Sequence, residues 1–86
     1  MNFDNFEEKT SNEIIKKIYK SITDFTYHTG KPITNILIGN NYLLYLRYLI
    51  EKEARSYSIN DPFQNERILD IPYLKVLTDK PLIIII

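Results

Sequence analysis

The sequence predicts an α+β fold in which two helices pack on a small three-stranded, mostly antiparallel sheet, in the chain order α-β-α-β-β. Two longer stretches repeat apolar residues every three or four positions, as one face of a helix does. Three shorter stretches are rich in Ile and Leu and are bounded by Gly or Pro, which is typical of strands. Because 86 residues is the size of one domain, we expect residues 1–86 to form a single domain, with residues 1–9 as an N-terminal arm.

The first helix is expected from Thr10 to Thr29. Thr10 and Glu13 have the spacing of a capping box, in which the hydroxyl and the carboxylate each accept a free backbone N–H. Gly30 suits the left-handed residue that follows a helix, and Pro32 prevents continuation. The apolar stripe of this helix consists of Ile14, Ile15, Ile18, Tyr19, Ile22 and Phe25.

A strand over residues 33–38 is expected next, because this stretch is rich in β-branched residues. Gly39 ends it, and Asn40 or Asn41 caps a second helix that runs to about Ser56. At 100° per residue this helix has one continuous core face, made of Tyr42, Leu43, Leu46, Leu49, Ile50 and Ala54.

The second helix carries a further apolar stripe. Leu44, Tyr45 and Tyr48 fall on a different arc, among charged residues, and one small layer can hardly bury both sides of the helix. Tyrosine is enriched at protein interfaces, so we interpret these three residues as a contact face for a partner. The alternative is that the two tyrosines pack under the first helix and the following loop. Phe3 and Phe6 either extend the first helix or anchor the arm onto a neighbour.

The remaining residues predict a loop at 58–66 and two short strands, at 73–77 and 82–86, joined by a tight turn at 78–81. Pro72 is expected just before the first of these strands, where a missing N–H does least harm. The uninterrupted run from Ile83 to Ile86 should be covered on both faces. We therefore predict that the last strand is central and antiparallel to both others, in the order 1-3-2, with the second helix crossing over between strands one and two.

Composition excludes several classes of protein. Eleven Lys and Arg balance eleven Asp and Glu, so the net charge is zero and a general nucleic-acid or membrane-surface binder is not expected. With no cysteine there is no disulfide, thiol or cysteine–zinc chemistry. The first thirteen residues are too acidic for a secretory signal, and the longest apolar run, 82–86, is far shorter than a membrane span. We therefore expect a cytoplasmic protein.

No constellation of residues predicts catalysis, a metal site or a cofactor. His28 is the only histidine and lies in the last turn of the first helix, where a surface role is expected. The carboxylates of the second half show no converging pair, although Asp70 lies in an otherwise apolar stretch. The start of the second helix, 39–41, could present N–H groups to a small anion, but a turn explains its glycine fully.

Amino-acid usage indicates an AT-rich genome. Ile, Asn, Lys and Tyr, which AT-rich codons specify, make up 38 of the 86 residues. A low-GC bacterium or one of its phages is the natural source of such a chain, and for a phage protein we expect a location in the host-cell cytoplasm or in the virion.

Two stretches and a closing strand carry a family resemblance. Residues 32–38 (PITNILI) are similar to a PT-x-I-x-I-x-P strand that enters a helix, and residues 68–77 (ILDIPYLKVL) are similar to an L-x-G-I-P-V-x-V pattern. Asp70 stands where that pattern has glycine, and residues 80–84 (KPLII) look like the final strand. Lys31 to Ile86 thus resembles the axial-domain segment of the tailed-phage and encapsulin major capsid fold. The resemblance implies a capsid-domain-like unit without catalytic residues.

The sequence therefore predicts a phage-encoded, non-enzymatic protein–protein interaction protein that forms a homo-oligomer or associates with virion components. Its expected interface residues are Phe3, Phe6, Leu44, Tyr45 and Tyr48. The alternative is a phage-encoded inhibitor or adaptor that docks on a host protein complex such as a defence enzyme. A third, less supported class is a nucleotide or small-anion binder at residues 39–41.

Overall fold

A computed structural model of the chain describes residues 3–54, 63–64 and 67–86, with only the backbone described at 63–64. The fold is α+β, with two helices and a mixed sheet. Its elements are α1 (Ser11–Thr29), β1 (Ile36–Gly39), α2 (Asn40–Ala54), β2 (Phe63–Gln64), β3 (Arg67–Ile68), β4 (Ile71–Val76) and β5 (Ile83–Ile85). The predicted α+β class is thus confirmed, while the sheet has more strands than expected.

Both ends of α1 follow the predicted capping pattern. The Thr10 hydroxyl accepts the Glu13 N–H at 3.3 Å, and the Glu13 carboxylate accepts the N–H of Lys9 at 3.2 Å. Gly30 has a φ of 63°, and its N–H donates to the carbonyl of Thr26 at 3.0 Å. Because glycine adopts the left-handed conformation without a steric penalty, it closes the helix where the sequence predicted.

The sheet order is β2-β3-β4-β1-β5, so the predicted position of the last strand is wrong. β1 is flanked by β4, to which it is parallel, and by β5, to which it is antiparallel. The Ile-rich β5 is therefore an outermost strand, paired only with β1 among the described residues. The sequence could not decide this, because β1 is as apolar as β5 and either could occupy the centre. The predicted crossover by α2 is confirmed, since α2 lies in the connection between the parallel strands β1 and β4.

A tight hairpin, absent from the prediction, joins β3 to β4. Leu69 and Asp70 have φ values of 53° and 66°, the left-handed conformation that a two-residue hairpin turn requires. Asp70 is exposed in this turn, although its apolar neighbours suggested burial. β4 begins before the predicted strand and includes Pro72, opposite Arg67 in β3. Of the predicted loop at 58–66, residues 58–62 and 65–66 lie outside the described residues.

Both helices contribute to one core on one face of the sheet. The core residues with an exposed fraction of 2% or less are Ile14, Ile18, Ile36, Ile38, Tyr42, Leu43, Leu46, Leu49 and Ile68. The predicted core face of α2 is confirmed except at its last member, Ala54, which is exposed.

Gly39 joins β1 to α2 at a point where the turn after β4 approaches closely. Its N–H donates to the carbonyl of Leu82 at 2.9 Å, and an added Cβ would lie only 2.6 Å from the backbone oxygen of Lys80. The N–H of Asn41 is directed at the carbonyl of Thr78, at 3.5 Å. The helix start that could have received an anion therefore has two of its N–H groups engaged within the chain.

Candidate interaction surfaces

Residues 3–9 of the N-terminal arm lie on α2 of their own chain and form an aromatic cluster there. The Phe6 ring lies 5.1 Å from the rings of both Tyr42 and Tyr45, between centroids. Phe3 contacts Tyr45 and Tyr48 at centroid distances of 5.0 and 5.4 Å. These tilted and offset ring contacts are the arrangements that aromatic pairs favour. The arm thus covers part of the apolar stripe for which the sequence predicted a partner.

The structure leaves three of the five predicted interface residues at least partly accessible. Phe6 and Tyr45 are 5% and 7% exposed and pack on each other within the chain, which corrects their assignment to a surface for a partner. Phe3 is half-buried, whereas Leu44 and Tyr48 remain 37% and 46% exposed. The alternative prediction, that the tyrosines pack beneath other parts of their own chain, therefore holds for Tyr45. The segment that covers it is the arm, however, and not the first helix or the following loop.

Beside the aromatic cluster lies an open groove of about 620 Å³. Its floor is aromatic and its rim carries charges of both signs. The lining residues are Phe3, Asp4, Phe6, Lys9, Tyr45, Tyr48, Leu49 and Lys52.

Glu8 joins the arm to both helices. Its carboxylate accepts hydrogen bonds from Lys17 of α1 and, at 2.7 Å, from the hydroxyl of Tyr42 of α2. The Tyr45 hydroxyl donates to the backbone carbonyl of Glu8. The Oε2 atom of Glu8 is buried and has no hydrogen-bond partner among the described residues.

The protonation states of this cluster follow from burial and hydrogen bonding. Burial alone would raise the pKa of Glu8, but the hydrogen bonds from Lys17 and Tyr42 outweigh burial and hold it below the ordinary 4.5. The hydrogen bond with Glu8 raises the pKa of Lys17. Burial, and then the hydrogen bond to Glu8, raise the pKa of Tyr42, while burial raises that of Tyr45. Glu8 is therefore an ionised structural anchor between a cation and a neutral phenol.

Sequence reasoning missed Glu8, although the arm contains a signal for it. Phe6 and Glu8 are buried while Glu7 and Lys9 are exposed, the alternation of an extended segment with one covered side. An acidic residue in phase with a buried phenylalanine requires a partner inside the fold.

A second carboxylate, that of Glu53, joins α1 to α2. Glu53 accepts the Ser11 N–H at 2.8 Å and the Ser11 hydroxyl at 2.9 Å.

The face of the sheet turned away from the helices is apolar and largely uncovered. Leu37 of β1 is in register with Leu74 of β4 on one side and Ile84 of β5 on the other, so three aliphatic side chains form a row. Leu74 and Ile84 are 53% and 43% exposed, and Ile86, which shares the phase of Ile84, is 44% exposed. We call Leu37, Leu74, Ile84 and Ile86 the outer face. No described helix or strand lies over the outer face, whereas the core face holds Ile36 and Ile38, both fully buried.

Other candidates from the sequence do not form a site. His28 is exposed on α1, and its ring lies against that of Tyr27 at 5.3 Å. Within residues 3–54, 63–64 and 67–86, no group of three or more His, Asp or Glu side chains could hold a metal ion. Neither α1 nor α2 is long and apolar enough to cross a membrane.

Comparisons of the chain with protein-family models, with curated proteins and with solved structures find no match.

Proposed function

We propose that this chain is a phage-encoded, non-enzymatic protein–protein interaction protein that associates with itself or with virion components. The observation that carries the proposal is the outer face, in which Leu74 and Ile84 flank Leu37 with about half of each flanking side chain exposed. An apolar row of this kind, with no charge in its centre, is typical of a surface that another molecule covers.

The proposed surface differs from the one that the sequence predicted. The arm covers Tyr45, so of the predicted apolar stripe of α2 only Leu44 and Tyr48 remain exposed. The physical argument is unchanged, because a single small layer of helices cannot cover every apolar surface of the chain. Phage origin and virion association are supported by the AT-rich amino-acid usage and by the capsid-like motifs of Lys31 to Ile86.

Light scattering during size-exclusion chromatography tests the proposal over a range of protein concentrations. We expect the mass of the wild type to rise with concentration, and Ile84→Lys to weaken association about tenfold or more, because a lysine would be desolvated in the contact. Tyr19→Lys is the matched control, since Tyr19 is also about half exposed, at 54% against 43% for Ile84, but lies on α1. It should associate as the wild type does.

Capture of partners separates the two classes of function. Recovery of virion proteins, or of the chain itself, by the wild type and not by Ile84→Lys supports the proposal. Recovery of one stoichiometric host enzyme by a monomeric chain supports the alternative, an inhibitor or adaptor. A wild type that stays monomeric and captures neither kind of protein contradicts both.

A further inference from the structure

The strand β5 has one row of backbone groups that faces away from the sheet. The N–H of Gly39 donates to the carbonyl of Leu82, and Asn35 and Ile86 exchange two hydrogen bonds at 3.1 and 3.0 Å. Every second residue of β5 therefore hydrogen-bonds to β1, and Ile84, which lies opposite Leu37, is one of these residues. The N–H and carbonyl groups of Ile83 and Ile85 point in the opposite direction, toward the open edge.

β5 lacks two features that protect many outermost strands, a charged side chain and a bulge, although it is short and Pro81 lies two residues before it. Natural edge strands carry charged residues, proline or bulges that prevent pairing with another chain. β5 consists of three isoleucines in regular antiparallel register with β1. No other strand of the described segments lies beyond it in the sheet.

We infer that β5 pairs with β5 of a second copy of this chain, antiparallel across a two-fold axis at Ile84, so that two sheets become one. This inference rests on the proposed function and names its partner. Ile83 of one copy then lies opposite Ile85 of the other, and their free N–H and carbonyl groups complete four hydrogen bonds. The two Ile84 side chains meet on the outer face and extend its apolar row across the axis.

The chemistry of the strand favours a second copy over a different protein. At a two-fold axis each residue lies near its own equivalent, so any charge would meet a like charge. Residues 81–86 carry no charged side chain, so no side chain of this segment repels a copy or selects an oppositely charged partner. Three residues of edge form a small contact compared with the roughly 800 Å² per partner of a standard interface, so we expect a weak, concentration-dependent dimer.

Single-cysteine cross-linking tests the geometry, because the chain has no cysteine of its own. Ile84→Cys should give a covalent dimer on mild oxidation, since residues directly opposite in a non-hydrogen-bonded pair have Cα atoms about 4.5 Å apart, within disulfide range. Leu74→Cys is the matched control: Leu74 lies on the same face with similar exposure, but two strands from the edge. It should stay uncross-linked under the same conditions.

Amide hydrogen exchange of the unmodified chain gives a second, independent readout. We expect protection of the Ile83 and Ile85 amides to rise with protein concentration, while the Ile84 amide, bonded to β1, is protected throughout. Efficient linking through Leu74→Cys, or dimers whose Ile83 and Ile85 amides exchange freely, would overturn edge pairing and leave the interaction function standing. A wild type that is monomeric and binds no partner would overturn both.

Discussion

At the scale of single residues, Glu8 is the side chain on which the arm depends most. It is 2% exposed and ionised, and it is held by Lys17 on one side and by Tyr42 on the other. A buried charge is tolerated only when it is paired and hydrogen-bonded. The geometry therefore joins the arm, α1 and α2 through one carboxylate.

We predict that Glu8→Gln lowers the free energy of unfolding by about 1–3 kcal/mol at pH 7, because the charge-assisted bond to Lys17 is lost while Tyr42 keeps an acceptor. Glu7→Gln is the matched control, since Glu7 also contacts Lys17, at 3.2 Å, but its side chain is 87% exposed. It should leave stability nearly unchanged. Urea denaturation measures both variants, and equal losses would contradict the anchoring role.

The Glu8 carboxylate also makes the stability of the chain depend on pH, and its pKa determines the direction of that dependence. The pKa of Glu8 is lower in the folded chain than its ordinary 4.5, so the folded state binds fewer protons than the unfolded state. Its contribution to stability is complete above pH 4.5 and is lost as the pH falls through the lower folded value. We expect Glu8→Gln to lose less stability than the wild type as the pH falls, as measured by denaturation at several pH values. Glu7→Gln should lose as much stability as the wild type does.

At the scale of elements, the arm acts as a third layer over α2. Its two phenylalanines contact three tyrosines that recur at spacings of three along α2, so the arm lies along one stripe of the helix. This contact explains how α2 can be apolar on two sides in one chain. It also explains why Tyr45 is buried while the neighbouring Leu44 and Tyr48 remain accessible.

We predict that Phe6→Ala destabilises the chain by about 3 kcal/mol or more, because it removes a buried ring and exposes Tyr45. Tyr27→Ala, at an aromatic position that is 85% exposed, should change stability by no more than about 0.5 kcal/mol. Guanidinium denaturation compares the two. An effect of Phe6→Ala as small as that of Tyr27→Ala would show that the arm does not stay docked on α2 in solution.

At the scale of the whole molecule, the helices of the described segments cover only one face of the sheet. β1 lies between a parallel and an antiparallel neighbour, and its Ile36 and Ile38 face the helices while Leu37 faces outward. Parallel strands are usually buried on both faces. The uncovered outer face is therefore the feature of the molecule that most clearly calls for a partner.

Because the outer face and β5 are uncharged, we predict that self-association is insensitive to salt. Raising the salt concentration from about 0.05 to 0.5 M should leave the dimerisation constant unchanged or tighten it slightly, since screening acts only on charged contacts. Sedimentation equilibrium at both concentrations measures this. A strong weakening by salt would instead indicate an ionic interface, such as one formed by the charged rim of the groove.

Much of the fold could be predicted because it depends on local chemistry. Thr10, Glu13 and Gly30 mark the ends of α1 through hydrogen bonds within four residues, and Gly39 marks the junction of β1 and α2. The candidate site was less predictable. Periodicity identified a second apolar stripe on α2, but a helical wheel does not show whether another chain or the chain's own arm covers it.

The sequence by itself determined the approximate positions of both helices and of β1, β4 and β5, and it indicated more apolar surface than two helices can cover, because periodicity, caps and composition act over a few residues. Only the tertiary structure decided the sheet order, the covering of Tyr45 by Phe6, the burial of Glu8 and the exposure of Leu74 and Ile84. These features depend on which distant segments pair. The two Ile-rich strands β1 and β5 are locally equivalent, and only the return of the chain through α2 to β4 places β1 in the centre and β5 at the edge.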